Sequence, residues 1–128
     1  MFPDDLRYSK DHEWVRAEGE RATIGVTDYA QKQLGDVVFV ELSEVGRTLA
    51  AHEVFGTVES VKAVSELFAP IGGEVLETNA SLVKTPETIN TDPYGAAWMI
   101  VVKVSNPKDL DGLMDAAAYK AHVESESK

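Results

Sequence analysis

Hydrophobic and polar positions alternate along this chain in short blocks set apart by glycine, proline and asparagine. Ala22, Ile24 and Val26 alternate with polar neighbours, residues 12–17 are strand-compatible, and Gly19-Glu20 lies between them, so the pattern predicts a first hairpin. Asp28 with Gln31 three positions on has capping-box spacing, and Gly35 follows a short helix over residues 29–34 as its closing residue. The nearly unbroken Val37-Val38-Phe39-Val40, inside a strand over residues 36–42, predicts burial on both faces, and Glu44-Val45-Gly46-Arg47 reads as a turn.

The longest apolar run, residues 53–68, holds Val54, Phe55, Thr57, Val58, Val61, Val64 and Phe68 with neither proline nor asparagine, and at face value is one strand. At ~3.3 Å per residue it would span roughly 50 Å, whereas a domain of this size has a radius of gyration near ~14 Å and strands rarely exceed ~10 residues. The run must fold back. The least costly place is Glu59, Ser60, Val61, Lys62 and Ala63, where side chains turn polar or small together. A hairpin within residues 53–69 with Lys62 at its tip follows. Pro70-Ile71-Gly72-Gly73 then reads as a Gly-Gly hairpin turn, its glycines supplying positive φ and setting the register of a strand over residues 74–78 beside the Lys62 hairpin.

Further on, Asn79 caps one helical turn over residues 80–83 that Pro86 ends. Residues 85–95 read as a loop held by Pro86 and Pro93, and residues 97–105 as a strand. Asn106 as cap, Pro107 at the first helical position and Asp109 at the third start a helix with Leu110, Leu113 and Met114 on one face. A second helix over residues 116–123 follows Asp115, giving a helical segment over about residues 107–124 and a frayed end over 124–128. Many short strands with helices at the ends indicate a mostly β sandwich or barrel with helical trimmings, and 128 residues read as a single domain spanning residues 1–128.

Charge narrows the function classes. Twenty-two acidic against twelve basic residues give a formal charge of −10, which repels phosphate backbones and anionic headgroups and favours partners with basic surfaces. Neither nucleic acid nor membrane is expected as a partner. No apolar stretch approaches the ~18 residues of a membrane span, and the opening Met1-Phe2-Pro3-Asp4-Asp5 lacks the character of a signal or transit peptide. The reading is a cytoplasmic bacterial protein, or a mature mitochondrial matrix protein, and a monomer. Without cysteine there is no disulfide, thiolate metal site or cysteine nucleophile. His12, His52 and His122 are spread along the chain with no metal-ligand spacing, so no metal is assigned, and no pair of acids has the context of a general acid and base. Lys62 as an amine catalyst would need burial or cationic neighbours, and an exposed turn beside Glu59 offers neither. Read from residues alone, Lys62 is a solvated lysine that keeps a turn soluble.

The string FGTVESVKAVSELFAPIGGEV (residues 55–75) resembles the lipoyl-attachment hairpin of the glycine cleavage system H-protein family. KDHEWVRAEG (residues 10–19), ATIGVTDYAQKQLGDVVFVELSEVG (residues 22–46), residues 85–94 and Trp98 are similar to that family's pattern, so the resemblance covers nearly the whole chain. It implies a barrel-sandwich hybrid of two small sheets with short helices, the carboxy-terminal ones included. It also implies lipoate in amide linkage to Lys62, within an attachment motif of Glu59, Ser60, Val61, Ala63 and Gly73. The implied role is that of a non-catalytic carrier. It takes an aminomethyl group from the decarboxylating P-protein (glycine decarboxylase) to the T-protein (aminomethyltransferase) and its reduced arm to the L-protein (dihydrolipoyl dehydrogenase), once a lipoate-attaching enzyme has acted. Glu13, Glu66 and Asp11 are expected to line a pocket for the loaded arm.

Four alternatives stand beside this. Biotinyl domains carry methionine on both sides of the lysine and acyltransferase lipoyl domains usually carry aspartate where Val61 stands, so ESVKA argues against both. An H-like protein relaying lipoate to other enzymes would use the same residues, and an acidic interaction module with no prosthetic group would need none of them. Lys84-Thr85 and Ala96-Ala97 depart from the family pattern in loops and bear on partner preference.

Overall fold

The blocks of alternating residues become strands of two antiparallel sheets. The computed structural model describes residues 2–126. In chain order run β1 (Arg7–Tyr8), β2 (Glu13–Glu18), β3 (Arg21–Val26), α1 (Asp28–Leu34), β4 (Val37–Leu42), β5 (Thr48–Leu49), β6 (Val54–Ser60) and β7 (Val64–Phe68). These are followed by β8 (Gly73–Thr78), α2 (Ala80–Lys84), α3 (Thr88–Thr91), β9 (Ile100–Val104), a 3₁₀ turn (Pro107–Gly112) and α4 (Ala116–Glu126). The larger sheet has six strands in the order β1-β2-β3-β9-β8-β5, and the smaller has three, β4-β6-β7. Alternation along each strand sends Val15, Ile24, Val40, Val58, Val75 and Ile100 into one core between them. This is the barrel-sandwich arrangement that the resemblance implies.

A second cluster lies behind the larger sheet. Tyr8 and Tyr119 stack with ring centroids 4.6 Å apart and planes 6° from parallel, alongside Leu6, Trp14 and Ala116, and so dock α4 on β1. Trp14 stands opposite Gly25 in the β2–β3 register. A Cβ at Gly25 would come within 2.6 Å of the indole, so the ring covers the strand only because the residue is glycine. Trp14 Nε1 donates to Pro93 O at 2.9 Å, tying the segment before β9 to β2.

Several elements differ from the sequence reading, each for a physical reason. The side chain that caps α1 is Thr27, accepting from Ala30 N at 3.2 Å, while Asp28 begins the helix and accepts from Gln31 Nε2. In β4 a bulge between Val37 and Phe39 breaks the alternation, so Val38 and Phe39 are 53% and 46% exposed and only Val37 and Val40 enter the core. Residues 85–95 contain α3, anchored by the fully buried Ile89. After Asn106 the chain makes the 3₁₀ turn and then extends, because Tyr8 and Met114 exchange two backbone hydrogen bonds of 2.8 Å that a continued helix would forfeit. The helix α4 runs on through Glu126, where fraying was predicted from residue 124, and residues 127 and 128 lie outside the described residues.

Gly72-Gly73 is not a hairpin turn. The segment carries the chain from β7 in the smaller sheet to β8 in the larger, and neither glycine has positive φ. Gly73 pairs with Leu49 on one side and Val104 on the other, and a Cβ there would collide with the backbone carbonyl of Lys103. Its role is close approach of three strands, away from the Lys62 hairpin.

Glu13 joins the two sheets. It is 1% exposed, with Ser9 Oγ 2.5 Å from Oε1 and Phe68 N donating to Oε2 at 3.3 Å across the sheet boundary. Burial pushes its carboxyl up from 4.5 to about 8, against the lowering effect of the Ser9 and Phe68 hydrogen bonds and with a small further rise from Asp11. The folded chain therefore holds this proton more tightly than the unfolded chain, and the associated stability, complete below 4.5, is lost as pH rises through that window toward about 8. Urea unfolding at about pH 5 and about pH 9 should show the wild type losing more stability than Glu13→Gln, by over about 1.4 kcal/mol. Equal losses in the two proteins would contradict the buried, protonated carboxyl.

Candidate functional site

The long apolar run does fold back, and its tip is held by backbone and one serine. Ser60 N donates to Ala63 O at 2.8 Å, while Ser60 Oγ accepts from Lys62 N at 3.3 Å and Ala63 N at 3.1 Å. Ser60 is 9% exposed, so this brace sits inside the turn. Val61 N donates to Asp36 O at 3.0 Å, fastening the tip to the chain between α1 and β4. Side chains at the tip point outward: Lys62 is exposed, flanked by Val61 and Val64 at 70% and 67% exposure. Val38 and Phe39, on the strand that pairs with β6 near the tip, are further uncovered apolar side chains of this sheet.

The corner beneath the tip is built by Asn90. Its Nδ2 donates to Gly35 O at 2.8 Å and to Gln31 Oε1 at 3.0 Å, and its Oδ1 accepts from Val37 N at 2.9 Å. Gly35 ends α1 with φ 81°, and a Cβ there would stand 3.2 Å from Lys62 Cε, so the lysine stem lies against the end of the helix. Sequence reasoning missed Asn90 because it sits in a stretch without periodicity; its one signal is an asparagine between two prolines in a segment too long to be a plain connection.

Beside the tip a cleft of about 370 Å³ opens between α1, β7 and the turn before β2. Ala63, Val64 and Glu66 form one wall, Tyr29 and Leu34 another, and Asp11, His12 and Glu126 the rim. Of the acids expected around a loaded arm, Asp11 and Glu66 line this cleft and Glu13 lies buried behind Phe68. Of the attachment motif, Glu59, Ser60, Val61 and Ala63 surround Lys62, and Gly73 does not. The fold also joins what the sequence keeps far apart: the rings of His12 and His122 come to 5.7 Å between centroids. A larger hollow of about 770 Å³, lined by Glu41, Arg47 and Thr57 among others, lies toward the opposite ends of β4 and β6 from the tip.

The family model described as glycine cleavage H-protein matches residues 6–126. A glycine cleavage system H protein from Anaeromyxobacter sp. is 60% identical over 123 residues, which are 96% of this chain and 96% of the relative. Those from Brevibacillus brevis and Bacteroides fragilis are 58% and 54% identical over 122 residues, 95% of this chain and 97% of each relative. The crystal structure of such a protein from Mycobacterium marinum superposes with a TM-score of 0.86 at 42% identity, covering 94% of this chain and 97% of the other. On its sequence, its two sheets and its exposed lysine hairpin, the chain belongs to the glycine cleavage H-protein family.

Proposed function

We propose that Lys62 carries lipoate in amide linkage and that the protein serves glycine cleavage as a carrier, without catalysis of its own. The observation that carries this reading is the hairpin tip, whose backbone is fixed by Ser60 and Asp36 while its lysine is exposed. An attaching enzyme needs an amine at a defined position on a rigid element, and it can remove the amine's proton in its own site. Once bound, lipoate supplies a disulfide that accepts the aminomethyl group of decarboxylated glycine and is later regenerated from the dithiol. The partners in this reading are the glycine-decarboxylating P-protein, the aminomethyltransferase T-protein, the dihydrolipoyl dehydrogenase L-protein and the lipoate-attaching enzyme. Val38, Phe39, Val61 and Val64 offer them apolar contacts on this sheet and its tip, and the charge of −10 steers the protein to basic docking faces with a strong dependence on salt. The bacterial relatives favour the cytoplasm, and among the described residues no helix is long and apolar enough to cross a membrane.

Asp11 and Glu66 give the cleft its part. An aminomethyl-bearing arm is cationic and open to attack by water, and an unpaired cation is costly to remove from solvent. The cleft begins at Ala63, next to the attachment lysine, and both carboxylates line it. In this reading Asp11 and Glu66 would supply the carboxylates that pair a cationic group on the arm, and Leu34 and Leu67 would give it an apolar lining.

Tandem mass spectrometry after coexpression with a lipoate-attaching enzyme is expected to find the group on Lys62 alone and none on Lys62→Arg, which keeps the charge but has no acylatable amine. Lipoate on Lys84 or Lys103 would overturn the assignment. Glu66→Ala should accept lipoate at the wild-type rate yet lose the aminomethyl group to water several-fold faster, by roughly 1 kcal/mol in barrier; equal release rates would remove Glu66 from the pocket.

A further inference from the structure

We propose that His12, His122 and Glu126 form a binding site for one zinc-class divalent ion at the rim of the cleft, stapling α4 to the turn before β2. His12 Nε2 lies 3.0 Å from Glu126 Oε1 and His122 Nε2 lies 2.7 Å from Glu126 Oε2, and one ligand atom from each of the three residues falls within 4.8 Å of the others. Zinc bonds to imidazole nitrogen and carboxylate oxygen are about 2.0–2.2 Å long, which sets tetrahedral ligands roughly 3.3 Å apart, so an ion fits after small side-chain shifts.

Two features distinguish this cluster from a surface ion pair. The first is orientation. Tyr119 Oη sits 2.8 Å from His12 Nδ1 and 2.7 Å from Thr27 Oγ1, so the far ring nitrogen of His12 is held with its Nε2 facing the other two side chains. Fixing a ligating histidine through its other nitrogen is how protein metal sites set ring position. The second is an unmet need. Among the described residues His122 Nε2 is buried and makes no hydrogen bond, although it lies 2.7 Å from the Glu126 carboxylate. An ion would satisfy all three atoms at once.

The chemistry of the set selects the ion. Two imidazoles and one carboxylate suit zinc and its neighbours, whereas magnesium and calcium require mostly oxygen ligands. His122 and Glu126 are one helical turn apart on α4, and His12 comes from the other end of the chain. Three protein ligands leave a fourth position for water, and the net charge of −10 raises the local concentration of cations.

Cobalt(II) serves as a spectroscopic stand-in for zinc in a test on the full-length, tag-free chain with Lys62 unacylated. Titration should give one ion per chain with the visible bands of a four-coordinate centre, displaced by zinc, and zinc should raise the unfolding midpoint. His122→Gln and Glu126→Gln should each weaken binding at least about tenfold and abolish the shift in midpoint, and Tyr119→Phe should weaken it about tenfold or more through loss of the His12 bond. Circular dichroism establishes that each variant is folded, and His12→Asn, which tolerates the left-handed backbone seen there at φ 70°, provides an independent removal of the third ligand. Absence of stoichiometric binding to the wild type, or unchanged affinity in folded His122→Gln and Glu126→Gln, would overturn the proposal.

Discussion

The position of the exposed lysine depends on the hydrogen bonds of a side chain on another element. Asn90 bonds Gly35 O, Gln31 Oε1 and Val37 N at once, locking the end of α1 to the start of β4. Between those bonds lies Asp36, whose carbonyl receives Val61 N from the hairpin tip. Each hydrogen bond contributes about 1 kcal/mol net, but leaving a buried partner unsatisfied costs about 1–3 kcal/mol, so the three act as a constraint more than as a sum. The tip is thereby referred to the core through α3, whose Ile89 is fully buried.

This arrangement separates precision from exposure. Backbone and Ser60 fix where the lysine leaves the protein, while its amine is free to meet an enzyme. The cleft starts at the same tip and is walled by elements that the Asn90 corner holds together, namely α1 and the hairpin. The exposed lysine and the cleft are therefore positioned by one set of contacts, a geometry that suits the carrier role proposed above.

Much of this was legible in the sequence where one physical rule dominated. Chain length alone forced residues 53–68 to reverse, and the reversal fell at Lys62. Alternation gave β3, strand-compatible residues beside it gave β2, and Asn79 and Asn106 cap where their side chains predicted. Reading failed where tertiary contact overrode local pattern. Val37-Val38-Phe39-Val40 carries no mark of the bulge that exposes its middle pair, and Gly72-Gly73 has the composition of a hairpin turn yet serves a close approach between strands. Met114 leaves its predicted helix for a partner more than a hundred residues earlier, Tyr8. Asn90, the Glu13 link between sheets and the meeting of His12 with His122 depend on distant residues that no local spacing reveals.

The account makes the hairpin tip rigid and Asn90 the reason. Backbone ¹⁵N relaxation at Val61 and Lys62 tests this directly. In the wild type their order parameters should match those of the adjoining strands, about 0.85, and in folded Asn90→Ala they should fall toward about 0.6 or lower while β2 and β3 keep theirs. Order parameters at the tip already below about 0.6 in the wild type, or unchanged by Asn90→Ala, would contradict it.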